Sequence, residues 1–182
     1  MITRLPSRLL AVVSLVLASA CATVSVGADF EPGVRLDRFQ TFGWDVRDAL
    51  PIGDPRLDNN PFFDSRVRSA VELELAAKGL RLVTTSPDLI VHYHASVQHR
   101  VDVLKRDTDR GYTSPQYGQA DTIVAFDEGT LVLDVADAAT KRILWRGWAQ
   151  TDVSGLIERP REMEKRIRES MRLMIKAFPR NP

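Results

Sequence analysis

Residues 129–152, GTLVLDVADAATKRILWRGWAQTD, constrain the fold more than any other part of the chain. Leu131, Leu133 and Val135 alternate with Thr130, Val132 and Asp134. A period of two marks a half-buried strand. Residues 137–141 then form a polar turn, whose Asp and Thr side chains suit hydrogen bonding to their own backbone. The return strand sets Ile143, Trp145, Gly147 and Ala149 on one face and Leu144, Arg146 and Trp148 on the other. Being apolar on both faces near its middle, it is expected inside a sheet rather than at its edge. The remaining elements are expected to pack on this hairpin.

Upstream, residues 39–46 read as a first strand and residues 48–60, with two prolines and a glycine, as a loop. A helix follows. Asn60 suits its N-cap, Pro61 its first position and Asp64 the positive end of its dipole. Phe63, Val67, Ala70, Val71 and Leu75 repeat at helical spacing, and Lys78-Gly79 forms a stop. Residues 80–84 and 89–99 read as strands. Residues 100–127 hold a charge run and several turn formers, and part of 122–126 extends the sheet. A last helix starts near Pro160, with an apolar stripe of Met163, Ile167, Met171, Met174, Ile175 and Phe178. Its Glu162–Arg166 and Glu164–Arg168 pairs are spaced i,i+4 in the favourable direction. The fold class is α+β: one mixed, mostly antiparallel sheet of about five strands with two helices packed on one face. The other face is left for solvent or a partner.

The N-terminus reads as an export signal. Arg4 and Arg8 precede the apolar run LLAVVSLVL (residues 9–17), and Ala18, Ser19 and Ala20 follow. The run falls short of the about 20 apolar residues a spanning helix needs. The small residues end at Cys21, the single cysteine, so no intramolecular disulfide can form. The segment resembles the lipobox of bacterial lipoproteins, with Ala18 where leucine is usual and Leu17 one place further out. That resemblance implies acylation of Cys21, and Ala22 after it implies sorting to the outer membrane. Ordinary cleavage after Ala20 or Ala22 is the alternative and leaves a soluble periplasmic protein. The chain divides into a lipoprotein signal peptide (1–20), a flexible tether (21–36) and a single α+β domain (37–179).

Charge narrows the partners. The chain has 25 basic and 24 acidic residues; without Arg4 and Arg8 the mature part has 25 − 2 = 23 against 24, or −1. A near-neutral domain has no general attraction for nucleic acid.

Together, Thr41-Phe42-Gly43-Trp44, Asp88-Leu89-Ile90-Val91 and residues 129–147, ending in Leu144-Trp145-Arg146-Gly147, resemble one family. It is the group of bacterial envelope lipoproteins that share domain of unknown function 4136. The resemblance covers most of the mature chain and implies a place in the envelope. It brings no established activity, catalytic residue or ligand.

Few residues suggest chemistry. His92 and His94 share one face of a strand and are weak metal candidates, since a zinc site needs further ligands. His99 falls on the other face, and the nearby acids Asp102 and Asp107 lie within the irregular stretch 100–127. Asp107-Thr108-Asp109 lacks the glycine and closing glutamate of a calcium loop. No G-x-S-x-G or glycine-rich phosphate loop occurs. Trp145 is expected in the core. Trp148 and Arg146, of the types that anchor binding surfaces, share the opposite face of that strand. Met163, Met171 and Met174 are expected to pack on the sheet. The expected function is a non-enzymatic outer-membrane lipoprotein without cofactor. It would be held to the membrane by its lipid and bind another envelope protein or serve as a structural module. The alternative is a soluble periplasmic domain that binds a small ligand or a metal.

Overall fold

The computed structural model describes residues 23–45, 54–104 and 122–179. Cys21, the signal and Asp107-Thr108-Asp109 lie outside the described residues. The strands are β1 (Ser25–Phe30), β2 (Thr41–Trp44), β3 (Arg81–Leu82), β4 (Leu89–Leu104), β5 (Thr122–Asp137) and β6 (Ile143–Asp152). The helices are α1 (Pro55–Asp58), α2 (Phe63–Ala77) and α3 (Pro160–Lys176), and a 3-10 turn spans Leu36–Arg38. One sheet holds the strands in the order β1-β6-β5-β4-β2-β3. β2 runs parallel to β3 and β4; the other pairs are antiparallel. The fold is therefore α+β with a mixed sheet, and β6 lies inside it as its two-faced apolarity predicts.

Both long helices cover one face. α2 buries Phe63, Val67, Ala70, Val71 and Leu75; α3 buries Met163, Ile167, Met171, Met174 and Ile175. They meet Leu89, Val91, Leu133, Val135, Trp145 and Ala149 from the sheet, all within one core. Trp145 is fully buried and stands edge-on to Phe178, with ring centroids 5.3 Å apart. Trp44 ties β2 to α2, its indole N–H donating to Glu72 Oε1 at 2.8 Å. The Tyr93 hydroxyl donates to Asp64 Oδ1 at 3.0 Å, and burial followed by that bond raises the phenol's pKa.

Local chemistry explains the helix ends. Asn60 Oδ1 accepts from the Phe62 N–H at 3.0 Å, so it caps the turn that leads into α2. At the other end Leu80 N–H bonds Leu75 O, and Gly79 N–H bonds Ala76 O. This is a Schellman stop, with Gly79 at φ +79° and the Leu75–Leu80 contact inside the core. On α3, Arg168 pairs with Glu164 and Arg166 with Glu169.

Three features depart from the sequence reading. The strand count is six rather than about five. The extra strand is β1, which occupies residues expected to be tether; its short, small and partly charged sequence hides it, because as an edge strand it buries little. α1 lies within the expected loop, capped by Asp54, whose Oδ1 accepts from the Arg56 N–H at 2.9 Å. Finally, a β-bulge falls where the register between β5 and β6 shifts: Val135 faces Trp145 and Ala136 faces Ile143. Leu144 is the extra residue. It turns into the core, and Ile143 is left 45% exposed, the reverse of strict alternation.

Candidate functional site

The face of the sheet away from α2 and α3 gathers the residues singled out in the sequence. One row across it reads His92, Asp134, Arg146 and Asp29. The next reads His94, Val132, Trp148 and Gly27. Strand pairing thus brings both histidines, Arg146 and Trp148 onto one surface. Neither row is complete without β1, which sequence reading missed.

Arg146 makes a two-pronged bond to Asp134: Nε donates to Oδ1 at 2.6 Å and Nη2 to Oδ2 at 2.7 Å. Asp134 is buried, whereas about half of the Arg146 side chain is exposed. The bond to Asp134, then its charge, holds the guanidinium pKa above its ordinary value. A forked pair of this kind fixes Arg146 in one orientation. Asp134 is the residue sequence reading overlooked. Its signal was a charged side chain in mid-strand, opposite an arginine across the turn.

Trp148 is 36% exposed. Its indole lies flat on Gly27 of β1; a Cβ there would stand 2.2 Å from the ring. Glycine at 27 is therefore the floor that lets the indole lie down. The ring is a fixed apolar plate beside a fixed cation.

The His92 and His94 rings stand edge-to-face with centroids 4.3 Å apart. Among the described residues, no group of three or more His, Cys, Asp and Glu side chains is placed to hold a metal. His99 is separate from this face, its Nδ1 lying 3.1 Å from Asp127 Oδ1. Beneath α3, on the other side of the sheet, Leu57, Phe63, Leu131, Ala149, Met163 and Ile167 line a cavity of about 40 Å³. That is far below the several hundred Å³ of a typical small-molecule site.

Residues 26–180 match the model of the family described as a domain of unknown function, DUF4136. The chain belongs to this family. No curated protein matches it. Among solved structures it is similar to a PDZ domain protein from Parabacteroides distasonis, at 18% identity and a TM-score of 0.52. That match covers 86% of this chain and 36% of the other, so the chain spans about a third of that protein's length. It is also similar to two PelC dodecamers from Paraburkholderia phytofirmans, at 12% and 11% identity and a TM-score of 0.41. Those matches cover 82% of this chain and 95% and 96% of the others. At such identities the first likeness concerns the fold alone.

Proposed function

We propose that this chain is a non-enzymatic lipoprotein of the outer membrane, facing the periplasm, whose domain binds another envelope protein or serves as a structural module. Acylated Cys21 is the anchor, and the open face of the sheet is the contact surface. The observation that carries the binding role is the Arg146–Trp148 pair. Asp134 clamps the cation and Gly27 seats the indole, so little side-chain freedom remains to be lost on docking. Tryptophan and arginine are also the side chains that most often dominate binding energy. A non-enzymatic role fits a face whose buried carboxylate, Asp134, is already engaged by Arg146.

Intact-mass analysis of the mature N-terminal peptide from the native host tests the anchor. A peptide that begins at Cys21 and carries acyl chains supports it. An unmodified start after Ala20 or Ala22 overturns it and leaves a free periplasmic domain. The binding role is tested by crosslinking in the envelope, where Trp148→Ala loses its partner but keeps its fold.

One observation favours a second reading, a small-ligand or metal-binding domain: the 4.3 Å approach of the His92 and His94 rings. A metal ligand of the folded state raises the melting temperature. An unchanged melting temperature in zinc ends that reading.

A further inference from the structure

The sheet has two edges, and one of them can take another strand. β3 is two residues long, too short an edge to extend. β1 runs for six residues, and both of its ends are exposed. Its hydrogen bonding to β6 alternates. Glu31 N–H donates to Leu144 O at 3.0 Å, so by antiparallel alternation Asp29, Gly27 and Ser25 also bond towards β6. Val26, Ala28 and Phe30 therefore point their backbone groups away from the sheet. The outward Phe30 N–H is taken by its neighbour, donating to Asp29 Oδ1 at 2.8 Å. Among the described residues, nothing pairs with the N–H and C=O groups of Val26 and Ala28 or with the Phe30 C=O. Val26 and Phe30 stand opposite Ala149 and Trp145, so their side chains lie on the helix-covered face, yet they are 41% and 54% exposed. Ala28, between them, packs against the core.

This edge is complementary to itself. Two copies of β1, laid antiparallel about a two-fold axis through Ala28, set Val26 against the partner's Phe30 and Ala28 against the partner's Ala28. These pairs carry the outward groups, so each exchanges N–H and C=O in both directions. Each also covers exposed apolar surface, Val26 meeting the partner's Phe30 side chain. On the open face the same register sets Gly27 against the partner's Asp29, with Cβ positions about 4.5–5.5 Å apart. The Trp148 indole lies on Gly27, with Nε1 2.9 Å from the place of a Cβ. The partner's Asp29 carboxylate thus comes within reach of that N–H. It is released at the same moment, because the Phe30 N–H beside it passes to a Val26 C=O across the axis. Asp29 guards the edge of a single chain and completes the Trp148 seat in a pair. Each Asp29 also stands next to Arg146 across β6, which offsets the approach of two carboxylates. A strand of unrelated sequence would satisfy the backbone but would bring neither this carboxylate nor both apolar contacts.

We propose that two copies of this chain join edge to edge through β1, in a two-fold dimer whose sheet runs on from one copy into the other. The contact goes beyond the reading above, since it needs neither acylation nor a second protein. Arg146 and the outer side of the Trp148 ring remain on the open face.

The test uses full-length chain, processed in its native host and extracted in mild detergent. Ala28→Cys puts two thiols on the axis, in a pair with Cα atoms about 5.5 Å apart, within disulfide range. Ser25→Cys is the control, because the axis holds its two copies about 20 Å apart. Wild type under the same oxidation marks any link through Cys21. Most of Ala28→Cys is expected to run as a reducible dimer and Ser25→Cys as a single chain. Adding Asp29→Lys to Ala28→Cys is expected to remove most of the dimer, since a lysine blunts the edge and takes away the acceptor. If both cysteine variants crosslink alike, the register and the proposal are overturned. Ala28→Cys that melts like wild type and stays single overturns it too. A reducible product that contains a different protein overturns it in favour of a strand lent by that protein. If Ala28→Cys fails to fold, a mixture of Ser25→Cys and Glu31→Cys decides, since the two-fold sets these positions opposite each other. A mixed dimer supports the proposal and its absence overturns it. The crosslinks are expected with or without acyl chains, so failure of the anchor and failure of the dimer are read separately.

Discussion

Two carboxylates show how single residues set stability and surface in this domain. Asp134 lies buried on the open face with Arg146 as its partner. Arg146→Ala leaves a desolvated carboxylate without its two donors, and the expected cost is about 1–3 kcal/mol. Trp148→Ala, at a ring about two-thirds buried, is expected to cost about 2–4 kcal/mol. Urea denaturation of both variants checks the two costs, and both variants are expected to reduce partner crosslinking. Asp88 works differently. Its Oδ2 accepts from the Gln40 N–H at 2.8 Å and the Thr41 N–H at 2.9 Å, joining the start of β2 to that of β4. The Gln40 bond above all, then those with Thr41, lowers its pKa. A carboxyl with a lowered folded pKa stabilises the fold above its unfolded value, near pH 4, and loses that contribution as pH falls through the folded value. Asp88→Asn keeps an acceptor without the charge. Its stability curve between about pH 5 and pH 2 is therefore expected to be flatter than the wild type's, by under about 1 kcal/mol because the site is exposed. Urea midpoints at the two pH values check it; parallel curves would remove Asp88 from the acid response.

At the scale of elements, a tie at the root of the outer β4–β5 ribbon makes a separate prediction. Arg56 on α1 reaches Asp54 at 2.8 Å, Asp127 at 3.4 Å and Glu158 at 3.2 Å. Asp127 also meets His99, and these partners hold its carboxyl below the usual range, His99 first. Arg56→Ala is expected to raise amide hydrogen exchange on the outer part of β4 and β5, with little change in α2 or α3. Uniform protection across the variant would show that the ribbon holds without this tie. The sequence made the long helices and the β5–β6 hairpin legible because each repeats an apolar period over many residues. The stop at Lys78-Gly79 was legible because only glycine takes φ +79° cheaply. β1 was not, since a strand paired on one side buries too little to show a period. The bulge at Leu144 was not, because one inserted residue leaves composition unchanged while it reverses Ile143 and Leu144. Arg146 and Trp148 were legible as a pair, but their seats were not: Asp134 and Gly27 lie on two other strands, and only strand order brings them together. The full reach of the ribbon was also hidden, because its outer half has few neighbours to impose a pattern.

For the molecule as a whole, the sheet has a polarity that neither helix nor hairpin reveals alone. At one end are the start of β1 and the β4–β5 ribbon; at the other is the β5–β6 turn with Asp137, whose Oδ1 accepts from the Ala139 and Thr140 N–H groups. On the anchored reading the first end faces lipid, and the open face stands across the membrane surface with Arg146 and Trp148 directed into the periplasm. The length of the tether then becomes a control on orientation. Insertion of twelve Gly/Ser residues between Thr23 and Val24 leaves every described contact in place. It adds a flexible segment with a root-mean-square reach of about 19 Å. The lengthened protein is expected to float with vesicles as firmly as the wild type, since its acyl chains are unchanged. Quenching of a fluorophore on Ser25→Cys by headgroup nitroxide is expected to fall, because the domain is then free to stand off. If quenching persists undiminished, the domain holds lipid by its own affinity and the short tether is not what places it. If flotation falls with it, the domain contributes to anchoring as well as to orientation.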